Sequence, residues 1–314
     1  MEYVPIRLST LKTKSKVTFD VYFKLTSKFI HYIKLGDEVD EGRINNLKEK
    51  KVKQLFIENK DEPKYQSYLD DCLNDVINNA NLSEVERSKA VVGVASAAVE
   101  DLHEKPDTEA SYNGAKRATK SMIDVMAKNP KVATELFKRL GDKEHSVLVK
   151  SAVLTSAVTV AFGEFLKVDE AMLLNLGMAA LMHDLGLIKL PKDKQNLPAS
   201  KIKEMNPEDA KLYKNHPTDA KNMLQGKPYV NKDVLDFIYQ HEERKTGDGF
   251  PQGIKTLSQN QEILNMACSF DQRISYRGMS RDDAIKDMMI NELGNFELKM
   301  LTQFKTLLNE KNIL

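Results

Sequence analysis

Leu181-Met182-His183-Asp184-Leu185-Gly186 decides the reading of this chain. It sets a histidine and an aspartate side by side at the end of an apolar run and closes the run with glycine. Imidazole nitrogen and carboxylate oxygen together suit iron, manganese or zinc, and a carboxylate is able to bridge two ions. Adjacent helical residues point about 100° apart. His183 and Asp184 are therefore expected to converge on one side of a helix, leaving Asp184 free to offer a second oxygen to a neighbouring ion. Further histidines stand at His145, His216 and His241, in a region rich in Leu, Ala and Met. Ligands that arrive from several helical segments are how a helical core assembles a buried cluster. His31 and His103 fall outside this pattern and are read as ordinary hydrogen-bonded histidines.

Composition narrows the setting. Lys and Arg (47) nearly balance Asp and Glu (46) in a chain of 314 residues, so no global field recruits DNA or an anionic membrane. Cys72 and Cys268 are the only cysteines and lie far apart. That excludes a disulfide framework or a Cys-x-x-Cys zinc site and fits a reducing cytoplasm. The start, Met1-Glu2-Tyr3-Val4-Pro5, has neither a basic nor an apolar leader region. No later stretch is expected to approach the ~18 uncharged apolar residues of a membrane span. A cytoplasmic protein without a membrane partner is the expectation.

The length suits two domains, each with its own core. Residues 1–80 read as a small α/β module of sensory or docking type. Val17, Phe19, Val21, Phe23 and Leu25 alternate with polar neighbours in the period of a half-buried strand. A turn at Thr26-Ser27-Lys28 leads into a second apolar run from Phe29 to Leu35, which predicts a hairpin. A helix is expected around Arg43 to Lys51, a short strand over Gln54 to Ile57, and a helix from Pro63 to about Asn79. Residues 83–314 read as helical throughout. Ser83-Glu84-Val85-Glu86 fits a capping box and opens a helix to about Glu104, and Pro106 and Pro130 punctuate two more. Helices are expected over Glu144 to Leu166 and Leu173 to Leu185, and Pro217 fits the first turn of another. The fold class is mainly α.

Four segments then come in order within residues 140–290: His145-Ser146, Leu181 to Gly186, Asn215-His216-Pro217, and His241-Glu242-Glu243-Arg244-Lys245-Thr246-Gly247-Asp248-Gly249-Phe250-Pro251. Together they resemble the HD-GYP domain, a branch of the HD phosphohydrolases. The resemblance implies an all-helical fold, a centre of two or three metal ions, usually iron or manganese, and hydrolysis of cyclic di-GMP. It makes His145, His183, Asp184, His216 and His241 ligands, with Asp184 as the bridge. Two ions so held generate a hydroxide between them and polarise a phosphodiester. Two ions, iron or alternatively manganese, are expected, because Gly141 stands where metal-richer relatives place a Glu.

The chain departs from the family pattern at several positions. Leu187 replaces a lysine that contacts phosphate, which leaves Lys189 as a candidate substitute. Phe250 replaces the tyrosine of the name motif. Glu242 occupies the place of a second histidine and is a candidate ligand. On the late helix Cys268 takes the position of the final ligand, with Asp271 one turn on as the carboxylate alternative. Arg277, left from an Arg-containing loop, is the candidate phosphate contact. These features support two functions: a metal-dependent phosphodiesterase acting weakly on cyclic di-GMP or a related phosphodiester, or a degenerate metal-containing signalling module that binds nucleotide or partner proteins. Leu187→Lys is expected to raise turnover if the new ammonium reaches the cluster.

Overall fold

Alternating apolar residues and a closing helix build the amino-terminal unit. A computed structural model describes residues 2–313 apart from 14, 27, 53 and 141–144, and it divides into units of residues 1–79 and 80–314. Ser27 of the expected turn, Gly141 and Glu144 lie outside the described residues. The first unit holds strands β1 (Tyr3–Arg7), β2 (Val21–Leu25), β3 (Lys28–Ile33) and β4 (Gln54–Glu58), with helices α1 (Glu41–Glu49) and α2 (Glu62–Asn78). The hairpin is β2–β3, with Leu25 opposite Lys28. The sheet order is β1-β4-β2-β3, every pair antiparallel. Val17 and Phe19 are buried, as the alternation requires, but they pack from a loop and the strand starts only at Val21.

The second unit comprises α3 (Glu84–Glu104), α4 (Glu109–Lys128), α5 (Pro130–Arg139), α6 (Val147–Phe165), α7 (Glu170–Met182), α8 (Pro207–Leu224), α9 (Lys232–Gln240), α10 (Gln259–Asp271), α11 (Arg281–Asn291) and α12 (Leu298–Glu310). The capping box forms: the Ser83 hydroxyl accepts from the Glu86 amide and the Glu86 carboxylate accepts from the Ser83 amide at 2.9 Å. Helix α6 is the centre of the unit, buried from Leu148 to Gly163 save for Lys150, and it packs on α7, α10 and α4. Two stretches, Val147–Phe165 and Glu170–Lys189, are in fact long and apolar enough to span a bilayer, against the expectation that none approached that length. They are core helices, with 83% and 72% of their apolar windows buried inside the fold.

Two helix boundaries near the candidate ligands differ from those expected. Ser146 caps α6 by accepting from the Val149 amide, so His145 precedes the helix instead of opening it. Helix α8 starts at Pro207 behind an Asn206 cap, which leaves Pro217 inside the helix and not in its first turn. After α10 the chain continues in one wide turn of π-helix, Gln272–Tyr276, a local irregularity often found at functional sites.

Candidate metal centre

Three imidazoles are prepared as ligands by the same local device. A helix leaves its last carbonyls without amide partners, and His183 and His241 are the capping residues that end α7 and α9. Each turns its Nδ1 back onto a carbonyl three residues earlier, His183 to Ala180 at 2.8 Å and His241 to Ile238 at 2.6 Å. His216 lies in mid-helix, where no carbonyl should be free. Pro217 frees one, because its missing amide is the group that would have bonded the Tyr213 oxygen. The His216 Nδ1 takes that oxygen at 2.6 Å. A carbonyl only accepts, so each Nδ1 carries the hydrogen and each Nε2 of a neutral ring presents a lone pair, the orientation in which histidines bind metal.

Those lone pairs converge on Asp184, which stands just past the end of α7 at the head of a 3-10 turn, Leu185–Lys189. The expected pairing of His183 and Asp184 within one helix is thus replaced by a pair that straddles the helix end. Asp184 Oδ1 lies 3.3 Å from His216 Nε2 and 3.9 Å from His241 Nε2, and its Oδ2 lies 3.3 Å from His183 Nε2. All four residues are buried. His216 Nε2 and His241 Nε2 face each other at 2.9 Å. Two facing lone pairs at that distance repel unless a cation or a proton lies with them, so the donor set fits a metal ion. Asp184, His216 and His241 are close enough together to hold one.

The electrostatics agree. Burial works against the Asp184 charge, but His183 and His216 outweigh it and hold the carboxyl well below its usual range. Burial opposes the charged form of His183 as well, yet the adjacent Asp184 pushes that ring up to about 9. His241 is held well below its ordinary value, first by burial and then by the two neighbouring imidazoles. A cluster carrying one carboxylate and a proton on His183 exchanges that proton for a cation when metal binds.

The other expected site residues divide. Asp271 lines the same cavity, fully buried, and accepts from Ser151 Oγ at 2.5 Å and Ser275 Oγ at 2.6 Å. Burial raises its carboxyl to about 7 against those hydrogen bonds. Cys268 also lines the cavity, but burial and the charges of Asp184, Glu242 and Asp271 push its thiol far up, away from the thiolate that ligates. The Glu242 carboxylate is engaged by the Tyr213 hydroxyl. His145 is not among the residues that line the cavity. Standing before α6, it is partly exposed and its Nδ1 lies 3.3 Å from Glu100 Oε1. Lys189 is paired with Asp219 at 3.0 Å, and Arg277 donates to Gln272 at 2.8 Å; neither lines the cavity.

Leu187 shows why the missing lysine is not simply restored. It is fully buried in an apolar cluster with Leu148, Leu190, Tyr213, Phe250 and Tyr276. An ammonium placed there must cross apolar packing and give up hydration. Leu187→Lys is therefore expected to lower the thermal midpoint by several degrees, and to raise turnover only if the ammonium reaches the cluster past this packing. A thermal melt and a rate assay decide it, and a stable variant with raised activity would refute the packing argument.

Other residues build the site around these ligands. Tyr276 donates its hydroxyl to Asp184 Oδ2 at 2.9 Å, and Tyr213 stacks on His216 with ring centroids 4.9 Å apart. Glu243 anchors the glycine-rich loop by accepting from the amides of Gln252 at 2.6 Å, Gly253 at 3.2 Å and Ile254 at 3.0 Å. Gly249 lets that loop close: a Cβ there would collide with the Arg244 amide and lie 2.6 Å from Glu243 Cα. Gly186 gives α8 room, since a Cβ on it would overlap the His216 carbonyl oxygen and lie 2.8 Å from its carbon. Partners so distant in sequence are visible only once the chain is folded.

Comparison with known proteins agrees with this geometry. Residues 120–294 match the HD domain family. A stretch of 127 residues is 28% identical to a cyclic di-GMP phosphodiesterase of Pseudomonas aeruginosa, and covers 40% of this chain and 29% of that protein. The fold resembles that of a solved HDG"Y"P protein from Bdellovibrio bacteriovorus with a TM-score of 0.69 and 26% identity, over 98% of this chain and 100% of that one. A family match that takes in more than half of the chain and runs through Asp184, His216 and His241, on a fold shared with that protein, makes this chain a member of the HD domain family in its HD-GYP branch.

Proposed function

We propose that the protein is a metal-dependent phosphodiesterase that hydrolyses cyclic di-GMP, or a related phosphodiester, slowly. The observation that carries the reading is the convergence of three imidazole Nε2 atoms, each with its Nδ1 tied to a carbonyl, on the two oxygens of Asp184. One oxygen faces His216 and His241 and the other faces His183, a disposition that supports Asp184 as the bridge between two ions. Iron fits this hard-to-borderline donor set, with manganese as the alternative. Asp271 is the further ligand in this reading, since its carboxyl needs only to lose a proton near neutral pH whereas the Cys268 thiol is far from ionising. The ions would supply Lewis acidity and a lowered pKa for bound water.

The chain's own residues fix the rest. Tyr276 orients Asp184, Tyr213 presses on His216 and restrains Glu242, and Ser151 and Ser275 hold Asp271. The cavity beside the cluster, lined by His183, Asp184 and His241, has room for water or small ions. The slow rate follows from Leu187, because one preorganised charge near a reacting phosphate is typically worth roughly 100- to 1,000-fold in rate.

Metal analysis and hydrolysis of cyclic di-GMP and of bis(p-nitrophenyl) phosphate test the proposal. Near two ions per chain and slow, metal-dependent turnover are expected. Asp271→Asn should lower metal occupancy and Cys268→Ala should leave it unchanged; the opposite pattern would make the thiol the ligand. Metal-loaded protein that binds cyclic di-GMP yet cleaves neither diester would replace the enzyme reading with that of a nucleotide-binding signalling module, which the apolar burial of Leu187 favours.

A further inference from the structure

A phosphodiester brings negative charge to the cluster, and most cations near it are already engaged. Arg273 donates to Asp287 at 2.7 Å, to Glu292 at 2.8 Å and to the Ser269 carbonyl at 2.9 Å. Lys245 is held by Glu262 at 2.5 Å and Glu297 at 2.9 Å. Lys189 is taken by Asp219 and Arg277 by Gln272, and position 187 is apolar. Arg244 differs. Among the described residues it is the one lysine or arginine that lines the cavity shared by His183, Asp184 and His241. It is half-buried and, among the described residues, makes no side-chain hydrogen bond or ion pair.

Its position is also fixed. Arg244 follows His241 by three residues, its carbonyl accepts from Gly247 at 2.8 Å, and Gly249 closes against its amide. The preceding Glu243 is pinned by three loop amides. The backbone that delivers the metal ligand therefore delivers the guanidinium with it. We propose that Arg244 is a phosphate-binding residue of this site, receiving the non-bridging oxygens of the phosphodiester from a position other than that of the lysine that Leu187 displaces. This assignment rests on the phosphodiester reading above. A guanidinium presents two parallel donors that match two oxygens of a phosphate. Glu242, Glu292 and Asp248 keep the group charged against the cost of burial without pairing with it.

The test compares metal-loaded wild-type protein with Arg244→Gln by titration with inorganic phosphate, with metal content measured on the same samples. Phosphate affinity should fall about 10- to 100-fold at unchanged metal content, the loss expected for a charge-assisted pair. An affinity within about twofold of wild type at equal metal content overturns the assignment. Wild-type protein that fails to cleave any diester while the variant loses phosphate would remove the enzyme reading and keep Arg244 as an anion site. Wild-type turnover with phosphate affinity unaltered in the variant would do the reverse. Should the variant lose its metal, arginine modification of the wild-type protein by butanedione, mapped by mass spectrometry, takes its place. Saturating phosphate should protect Arg244, and labelling that is indifferent to phosphate, or no labelling of Arg244 at all, overturns the proposal.

Discussion

Asp184→Asn should reduce metal affinity by more than about 100-fold, beyond the 10- to 100-fold typical of changes to groups behind the ligands. The amide keeps the volume and the Tyr276 hydrogen bond but loses the charge that both halves of the cluster share. His216 and His241 on one side and His183 on the other lose their common partner at 3.3 to 3.9 Å. The effect should therefore exceed that of removing any single histidine, which leaves Asp184 and two imidazoles in place. Tyr276→Phe gives the internal comparison, as it only releases one carboxylate oxygen, and a loss of about tenfold is expected. Metal content after dialysis against graded chelator measures all three. An Asn variant that retains metal as tightly as His183→Ala would show that Asp184 is not the shared group.

Gly186→Ala should do comparable damage without touching a ligand. The added methyl would stand within the His216 carbonyl, 2.8 Å from the carbonyl carbon and 3.0 Å from Cα. Both obstacles are backbone, so no side-chain rotation relieves them, and α8 or the turn after Asp184 must move. Overpacking usually costs 1–3 kcal/mol, and a backbone clash between two ligand-bearing segments is expected at or above the top of that range. At roughly 2–4 °C per kcal/mol for a unit of this size, the thermal midpoint should fall by about 6–12 °C, with metal lost as His216 is displaced. Melts with and without chelator separate the two effects. A variant with wild-type midpoint and metal content would show that the close approach is dispensable.

What the sequence made legible was local. The hairpin and the capping box at Ser83 each rest on residues within a few positions of one another, whereas the helix expected to run to Leu185 stops at Met182. Strand β1 was not expected, because Tyr3–Arg7 contains Pro5 and earns its strand only by pairing with β4, some fifty residues away. The start of α8 was written in Asn206-Pro207, a cap followed by a first-turn proline, but Pro217 drew the boundary to itself. His183, Asp184, His216 and His241 could be selected from type and order, and the fold brings them together. His145 matched the same pattern and lies just before the Ser146 cap of α6, facing Glu100. The aromatic and serine partners, and Arg244 in the cavity wall, depend on contacts between distant segments. Residue type alone does not separate them from many similar residues elsewhere.

The ends of α7 and α9 carry one more consequence. His183 and His241 are the residues on which those two helices stop, so both helices direct the negative poles of their backbone dipoles toward the cluster. Each pole is equivalent to about half an elementary charge. Before any ion arrives, the centre is thus a negative well lined by the carboxylates of Asp184, Glu242, Glu243 and Glu292, suited to cations and hostile to phosphate. Occupation by divalent ions reverses the sign of the potential at the same place. Binding must then run in order, cation first and anion second, and metal-free protein should hold neither inorganic phosphate nor a phosphodiester at this site.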